Sequence, residues 1–287
     1  MARSPVVFHA ASATPMIIAG PCMAESEDLL HTVARPLVAL SRELGFELIF
    51  KASFDKANRT AIKSYRGPGL TTAMGWFQTL KQELGVRLLT DVHETAQCGP
   101  VAETCEVLQI PAFLCRQTDL IVAAVETGRA VNVKKGQFIG PDSIPHIASK
   151  VKAAAAGKGF SPDFALTERG VSFGYGNLVV DLRALKTMAA QGGGVIFDVT
   201  HSLQLPGTGG TAGEVTGGAR EYAPLLTRAA AATGYLTGLF LEVHPEPAKA
   251  LSDASTQLTI EQATTLLRQV IPIWKNARSH VAIDRDF

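Results

Sequence analysis

The sequence predicts an α/β protein built as a single (β/α)8 barrel domain over residues 1–287, and three observations lead there. Short apolar runs recur along the chain, each followed by a polar or glycine-rich loop and then a helical stretch. Apolar strands alternating with amphipathic helices imply a parallel sheet with helices outside it. No linker or composition break divides the 287 residues, and eight strand–helix units fit that length as one closed barrel. A doubly wound sheet is the runner-up, but no GxGxxG follows the first strand.

The units follow in order. Met16 to Ala19 is the first strand, and Ser26 is placed to cap a helix running to Leu44, with Glu27 and Asp28 in its first turn. Leu48 to Phe50 leads into a basic loop, then a helix from about Thr72 to Leu84 that Gly85 closes. Val86 to Thr90 ends on Asp91, and Thr95 to Thr104 is a short helix. Val107 to Ile110 opens into Pro111 to Gln117, before a helix over Asp119 to Thr127. Ala130 to Val133 delivers Lys134 and Lys135; Ile147 to Ala156 is an alanine-rich helix. Asp163 to Leu166 delivers Arg169, and Leu178 to Ala190 reads as the next helix. Gly194 to Phe197 delivers Asp198 and His201; Gln204 to Gly218 is a glycine-rich loop, of which Leu205 to Gly210 reads as a mobile lid, with a plain flexible loop as its ordinary reading. A helix over Arg220 to Ala232, the strand Gly238 to Leu241 ending on Glu242, and a helix from about Thr259 complete the set. Val6 to Phe8 precede the barrel and are expected to cap its floor.

Bulk properties narrow the function. Hydrophobic residues make up 46% of the chain and charged ones 18%, enough apolar material for a large core. A formal net charge of +1 gives no electrostatic case for nucleic acid. No apolar run approaches the roughly 20 residues that span a bilayer. The N-terminus lacks the long apolar stretch of a secretory signal, and the four cysteines form no CxxC pair, so a cytoplasmic setting is expected.

Against that near-neutral background, Lys51, Lys56, Arg59, Lys63 and Arg66 crowd the segment after the second strand, with Asp55 the single acid among them. Cations held past a strand end suit phosphate and carboxylate. In a barrel the residues just past each strand meet at one mouth, so Lys134, Arg169 and Arg116 join Lys51 and Lys56 there. A solvated basic loop explains any one of these cations but explains the ring poorly. Asn58 and Asp91 are placed to bond sugar hydroxyls, and Arg59 with Thr60 to hold a second phosphate further out. Ser53 and Gln137 complete the substrate-binding candidates.

The last strand-end set is Cys22, His201, Glu242 and Asp253. Closure makes the seventh, eighth and first strands neighbours, so a thiolate, an imidazole and two carboxylates would meet. Such a mixed donor set suits divalent Fe, Mn, Co or Zn. Each residue also has an ordinary reading: a packed cysteine, a satisfied loop histidine, two surface acids.

Longer stretches carry a resemblance. KASFDKANRT (51–60), SYRGPG (64–69), TDVHE (90–94), QIPAFLCRQTDL (109–120), VNVKKGQF (131–138) and FDVTHS (197–202) resemble the 3-deoxy-D-manno-octulosonate 8-phosphate synthases over essentially the whole chain. The resemblance implies a TIM barrel, condensation of phosphoenolpyruvate with D-arabinose 5-phosphate, a product used for lipopolysaccharide, and a homotetramer. It implies that Lys56, Lys134, Arg116 and Arg169 hold phosphoenolpyruvate, that Arg59 and Thr60 hold the sugar phosphate, and that Lys56, Asn58, Asp91, His201 and Asp253 serve the chemistry. The family has metal-dependent members with Cys after the first strand and metal-independent ones with Asn. Cys22, QLPG (204–207) and LEVHPEPAKALSDASTQ (241–257) are similar to the former. Cys115 stands where alanine is usual, and Cys98 and Cys105 match no motif. Two other functions compete: the sister heptulosonate synthase reaction with erythrose 4-phosphate, and a non-catalytic sugar-phosphate-binding barrel.

Overall fold

The computed structural model describes residues 6–59, 61–173, 176–209 and 215–280. Eight parallel strands close on themselves: β1 (Met16–Gly20), β2 (Glu47–Lys51), β3 (Arg87–Asp91), β4 (Val107–Ile110), β5 (Ala130–Lys134), β6 (Phe164–Glu168), β7 (Gly194–Asp198) and β8 (Gly238–Glu242). Helices α1 (Glu27–Leu44), α2 (Leu70–Leu84), α3 (Thr95–Thr104), α4 (Thr118–Glu126), α5 (Ile144–Gly157), α6 (Arg183–Ala189), α7 (Ala223–Ala232) and α8 (Ile260–Arg278) follow the strands one by one. Closure pairs Gly20 with Glu242 across β1 and β8. A Cβ at Gly20 would stand 2.0 Å from the Lys51 carbonyl, so only glycine lets β1 and β2 approach there.

Local chemistry explains the element ends. Ser26 is extended, and its hydroxyl accepts the Leu29 N–H at 3.1 Å, starting α1. Gly45 and Gly85 stop α1 and α2 in the left-handed conformation. Thr259 and Gln262 form a reciprocal capping box at the start of α8.

The strands alternate strictly. Outward residues such as Phe50, Leu108, Val131, Leu166 and Phe197 pack under the helices. Inward residues Ile18, Ile49, Leu89, Val107, Ile196 and Phe240 fill the lower barrel. Val7 and Phe8 join this inner cluster, and their backbone N–H groups donate to Asp163, so the N-terminal segment plugs the floor as expected.

Two sequence expectations change. The helix read over Leu178 to Ala190 is only Arg183–Ala189. Leu178–Val179 instead pairs antiparallel with Val171–Ser172. Asp181 precedes the helix, its carboxylate accepting both the backbone N–H and the guanidinium of Arg183 in a local turn. The glycine-rich segment read as a loop is paired over its described part: Gln204–Gly209 joins Val215–Gly218 as an antiparallel ribbon. The ribbon's backbone groups bond to each other, which a bare count of glycines does not reveal. Residues 210–214 lie outside the described ones. No helix among the described residues is long and apolar enough to cross a membrane.

Candidate active site

Above the apolar floor the inward positions turn polar. Ile49 is followed two residues on by Lys51, Leu89 by Asp91, Val107 by Gln109, Ile196 by Asp198 and Phe240 by Glu242. These side chains line or underlie a cavity of about 560 Å³ at the C-terminal ends of the strands. Of the residues named from sequence, Lys51, Lys56, Asn58, Arg59, Asp91, Lys134, Gln137, Arg169, His201, Glu242 and Asp253 all border it.

At its base the Sγ of Cys22 lies 3.1 Å from Asp253 Oδ2. Cys22, Glu242 and Asp253 offer donor atoms that all fall within 4.8 Å of one another. His201 Nε2 lies 3.7 Å from a carboxylate oxygen of each acid. His201 Nδ1 faces Asp198, 2.9 Å from Oδ2, and Lys134 Nζ at 3.2 Å, so Nε2 is the ring atom turned toward the two acids. Glu242 Oε2 is buried without a hydrogen-bond partner among the described residues. Asp253 has φ of 48°, the one positive value for a non-glycine residue among those described. An aspartate tolerates that conformation better than most, at a small cost in strain. The loop is held there from several sides: Gln204 Nε2 donates to Asp253 Oδ1, Gln257 Nε2 donates to the Ser252 carbonyl, and the Cys22 N–H donates to Gln257. An orphaned buried carboxylate oxygen beside a thiol, an imidazole and a second carboxylate fits one divalent first-row cation.

The electrostatics are those of a dry, crowded site. Burial pushes the Cys22 thiol well above its ordinary value, with Asp253 and Glu242 adding to it. A bound cation reverses that by stabilising the thiolate. For Glu242, burial alone would raise the pKa, but Lys51, His201, Lys56 and Lys134 outweigh it and hold the carboxyl below the usual range. Lys51 and Lys56 do the same for Asp91. Asp198 is held low by His201 and Lys134, against its burial. Burial works against the Lys56 charge as well, yet Cys22, Glu242, Asp91 and Asp253 raise its pKa. Lys134 is pushed down by burial despite its 2.7 Å ion pair with Asp198 Oδ2, and it stands over the Phe240 ring.

The anion-facing groups divide into engaged and open ones. Arg169 gives one Nη to Gln204, but its buried Nε and Nη1 have no hydrogen-bond partner among the described residues. Gln137 Oε1 is likewise buried and unpartnered. Lys51 differs from its sequence reading. It is sunk below the mouth, 2.7 Å from Glu242 Oε1 and 2.8 Å from the Cys22 carbonyl, so its charge first neutralises an acid. Arg59 donates to the carbonyls of Tyr65 and Leu251 and to the Ser252 hydroxyl, which ties the basic loop to the segment carrying Asp253.

Two of the substrate-binding expectations do not land on the cavity wall. Ser53 is buried, and its hydroxyl donates to Asp91, so it orients that acid from below. Arg116 is exposed, outside the cavity, its carbonyl accepting from Lys150; the short helix Ala112–Leu114 turns the chain outward before reaching it. Thr60 lies outside the described residues.

Sequence reasoning missed Asp198 and Gln204 as site residues, although an acid three positions before a strand-end histidine was a usable signal. It also missed a chain of hydrogen bonds across the barrel. An ionised Asp91 can only accept, so Gln109 must present its NH2 to it; Asn132 then donates to Gln109, and Thr167 to Asn132. These residues sit on β3, β4, β5 and β6, and nothing in one strand's sequence announces the other three.

The sequence is similar to that of known proteins. The model of the DAHP synthetase I family matches residues 6–277. A 2-dehydro-3-deoxyphosphooctonate aldolase of Cupriavidus necator is 49% identical over 252 residues, covering 88% of this chain and 86% of the relative. The protein of that name from Desulfatibacillum aliphaticivorans is 47% identical over 262 residues, 91% of this chain and 93% of the relative. That from Methylibium petroleiphilum is 45% identical over 272 residues, 94% of each.

Proposed function

The chain belongs to the DAHP synthetase I family, and from that premise we infer that it condenses phosphoenolpyruvate with D-arabinose 5-phosphate and water, giving 3-deoxy-D-manno-octulosonate 8-phosphate and phosphate. The observation that carries the reading is the open, buried edge of Arg169 in a cavity that Lys56 and Lys134 also border. A buried guanidinium with unspent donors is costly unless a ligand satisfies it, and phosphate or carboxylate matches its fork.

Lys56, Lys134, Gln137 and Arg169 are assigned to phosphoenolpyruvate. Arg59 and Thr60 are assigned to the sugar phosphate, and Asn58 and Asp91 to sugar hydroxyls. Held this way, C3 of phosphoenolpyruvate meets the aldehyde carbon, where orientation supplies much of the rate. A bond forms between those carbons, and the aldehyde oxygen takes a proton. Water oxygen bonds to C2, and C2–O cleavage then releases phosphate. Asp253 borders the cavity and is the group assigned to take a proton from the water, with His201 beside it.

Cys22, His201, Glu242 and Asp253 are assigned as ligands of a divalent Fe, Mn, Co or Zn ion. When bound, it supplies a Lewis acid toward the aldehyde or the water. Charge balance favours such an ion. Lys51, Lys56, Arg59, Lys134 and Arg169 on the cavity wall are matched by Asp55, Asp91, Glu242 and Asp253 on it and by Asp198 beneath, so protein charge alone leaves little surplus for two phosphorylated substrates. The product suits lipopolysaccharide assembly in the cytoplasm.

Arg116 is assigned to a neighbouring subunit's cavity in a homotetramer. Its exposure supports this, as do Phe113, Phe138 and Phe173, each more than half exposed. A monomer by light scattering at full specific activity would remove that assignment. The function itself is tested by phosphate release from phosphoenolpyruvate with arabinose 5-phosphate and with erythrose 4-phosphate in parallel. Release with the five-carbon sugar alone is expected. Preference for erythrose 4-phosphate would move the chain to the sister reaction, and no release with either would leave a binding barrel.

A further inference from the structure

Two tandem charged pairs straddle the ends of neighbouring strands, Lys134-Lys135 at the end of β5 and Glu168-Arg169 at the end of β6. Strand alternation sends one member of each pair inward. Lys134 and Arg169 border the cavity, while Lys135 and Glu168 are absent from its wall yet almost wholly buried, at 2% and 0% exposure. The outer members meet each other, Lys135 Nζ lying 3.4 Å from Glu168 Oε2.

Around this ion pair both strand-end loops are gathered. Lys135 Nζ faces the carbonyls of Gly136 and Ile139 from the loop after β5, at 3.3 and 3.4 Å. It also faces the Gly170 carbonyl from the loop after β6, at 3.5 Å. Glu168 Oε1 accepts the Gly170 N–H at 2.6 Å. Gly170 has φ of 88°, which lets the chain turn back at once and brings its N–H and carbonyl to the pair. Two backbone bonds continue the stitching: Lys135 N–H to the Thr167 carbonyl, and Ser172 N–H to the Gln137 carbonyl, each 2.8 Å.

We propose that the buried Lys135–Glu168 pair is a positioning element for the phosphoenolpyruvate anchor, fixing the separation and aim of Lys134, Gln137 and Arg169 from outside the barrel wall. The inference rests on the substrate assignment made above. A buried ion pair is a poor source of stability, because desolvation offsets most of its attraction, and apolar replacement of both partners is often neutral or stabilising. Its presence therefore calls for a geometric reason. The unspent polar atoms of Gln137 and Arg169 sit on the two loops that this pair joins. Burial pushes Lys135 down and Glu168 up, and each is the largest of the influences that oppose burial at the other.

The test separates positioning from stability. Lys135→Met/Glu168→Leu removes both charges and leaves no ion unpaired. Glu168→Gln keeps the size and the acceptor for Gly170 N–H but withdraws the counter-charge. Thermal melting, titration of phosphoenolpyruvate alone and KM for each substrate are measured on both variants and the wild type. The double variant is expected to melt at or above the wild type, with phosphoenolpyruvate affinity lowered on the order of tenfold or more and the sugar KM little changed. Glu168→Gln is expected to show the same split, and it decides the matter if the double variant fails to fold. Unchanged phosphoenolpyruvate affinity overturns the proposal. So does an equal loss for both substrates, which would mark a general structural role. If wild-type enzyme itself does not take up phosphoenolpyruvate, the substrate assignment falls, and the proposal with it.

Discussion

The lower and upper halves of this barrel are built from the same strands with the same alternation, yet they obey opposite rules. Below, Ile18, Ile49, Leu89, Val107, Ile196 and Phe240 fill the interior; burying each large side chain contributes about 1.5–3 kcal/mol. Two residues further along, Lys51, Asp91, Asp198 and Glu242 are just as dry, and burial opposes their charge. Such charges persist only through partners and ligands. The floor thus stabilises the fold, and the mouth draws on that stability to hold groups that water would otherwise solvate. Substitutions in the floor should move stability with little effect on substrate binding. Changes in the mouth should move activity first.

The sharpest contrast concerns the metal. Removing divalent cations with a chelator is expected to lower turnover by on the order of a hundredfold or more while the barrel stays folded. Zn, Fe, Mn or Co should restore it, and Mg should do so poorly, because a thiolate ligand favours softer ions. Full activity in protein shown metal-free by elemental analysis would break the comparison at its strongest point. In the opposite half, Ile196→Ala should lower unfolding free energy by about 2–5 kcal/mol, the usual cost of a large-to-small change in a core. Denaturant unfolding would report the loss, and KM for both substrates should stay as in the wild type. A shifted KM without a shifted midpoint would show that floor and mouth are not separable.

The sequence made the floor and the strand ends legible for one reason: alternation and strand-end charge are local. Lys56, Lys134, Arg169, His201 and Glu242 could be placed at one mouth once eight units were counted, since closure does the rest. What local reading could not supply was direction and depth. Lys51 looks like a free cation in the chain but is spent on Glu242. Arg116 looks like its equal and faces outward. The Asp91–Gln109–Asn132–Thr167 chain depends on register between four strands. The ribbon from Gln204 depends on backbone pairing across a turn, which side-chain identity barely encodes.

Arg59 probes the outer rim, where the contrast should soften. Arg59→Ala is expected to raise the KM for arabinose 5-phosphate by about ten- to a hundredfold, the equivalent of a lost charge-assisted contact. Its hydrogen bonds to Leu251 and Ser252 also steady the segment before Asp253, so some loss of metal affinity should accompany it. Steady-state kinetics with each substrate varied would settle the assignment. A raised phosphoenolpyruvate KM with an unchanged sugar KM would mean that the two phosphate positions are reversed.

The smallest effect is expected at Cys115, which belongs to neither half. It lies in the layer between barrel and helices, fully buried among apolar neighbours. Burial raises its thiol pKa, while the N–H of Gly136 donates to the sulfur. That contact touches the loop carrying Gln137, so a role in the mouth is conceivable on position alone. The magnitudes argue against it. A thiol is a weak acceptor, and Lys135 of the Lys135–Glu168 pair already holds this loop through two backbone carbonyls, those of Gly136 and Ile139. Cys115→Ala removes one sulfur atom and leaves a gap smaller than a methylene-rich side chain would. A cost of about 1 kcal/mol is expected, typical of a modest core change, with KM for phosphoenolpyruvate unchanged. Denaturant midpoints and substrate kinetics on the same preparation would check both halves of that expectation. If the Ala variant instead keeps its midpoint and loses phosphoenolpyruvate affinity, the outer layer steers the mouth through contacts much weaker than an ion pair, and the boundary between stabilising and functional regions lies further out than the barrel wall.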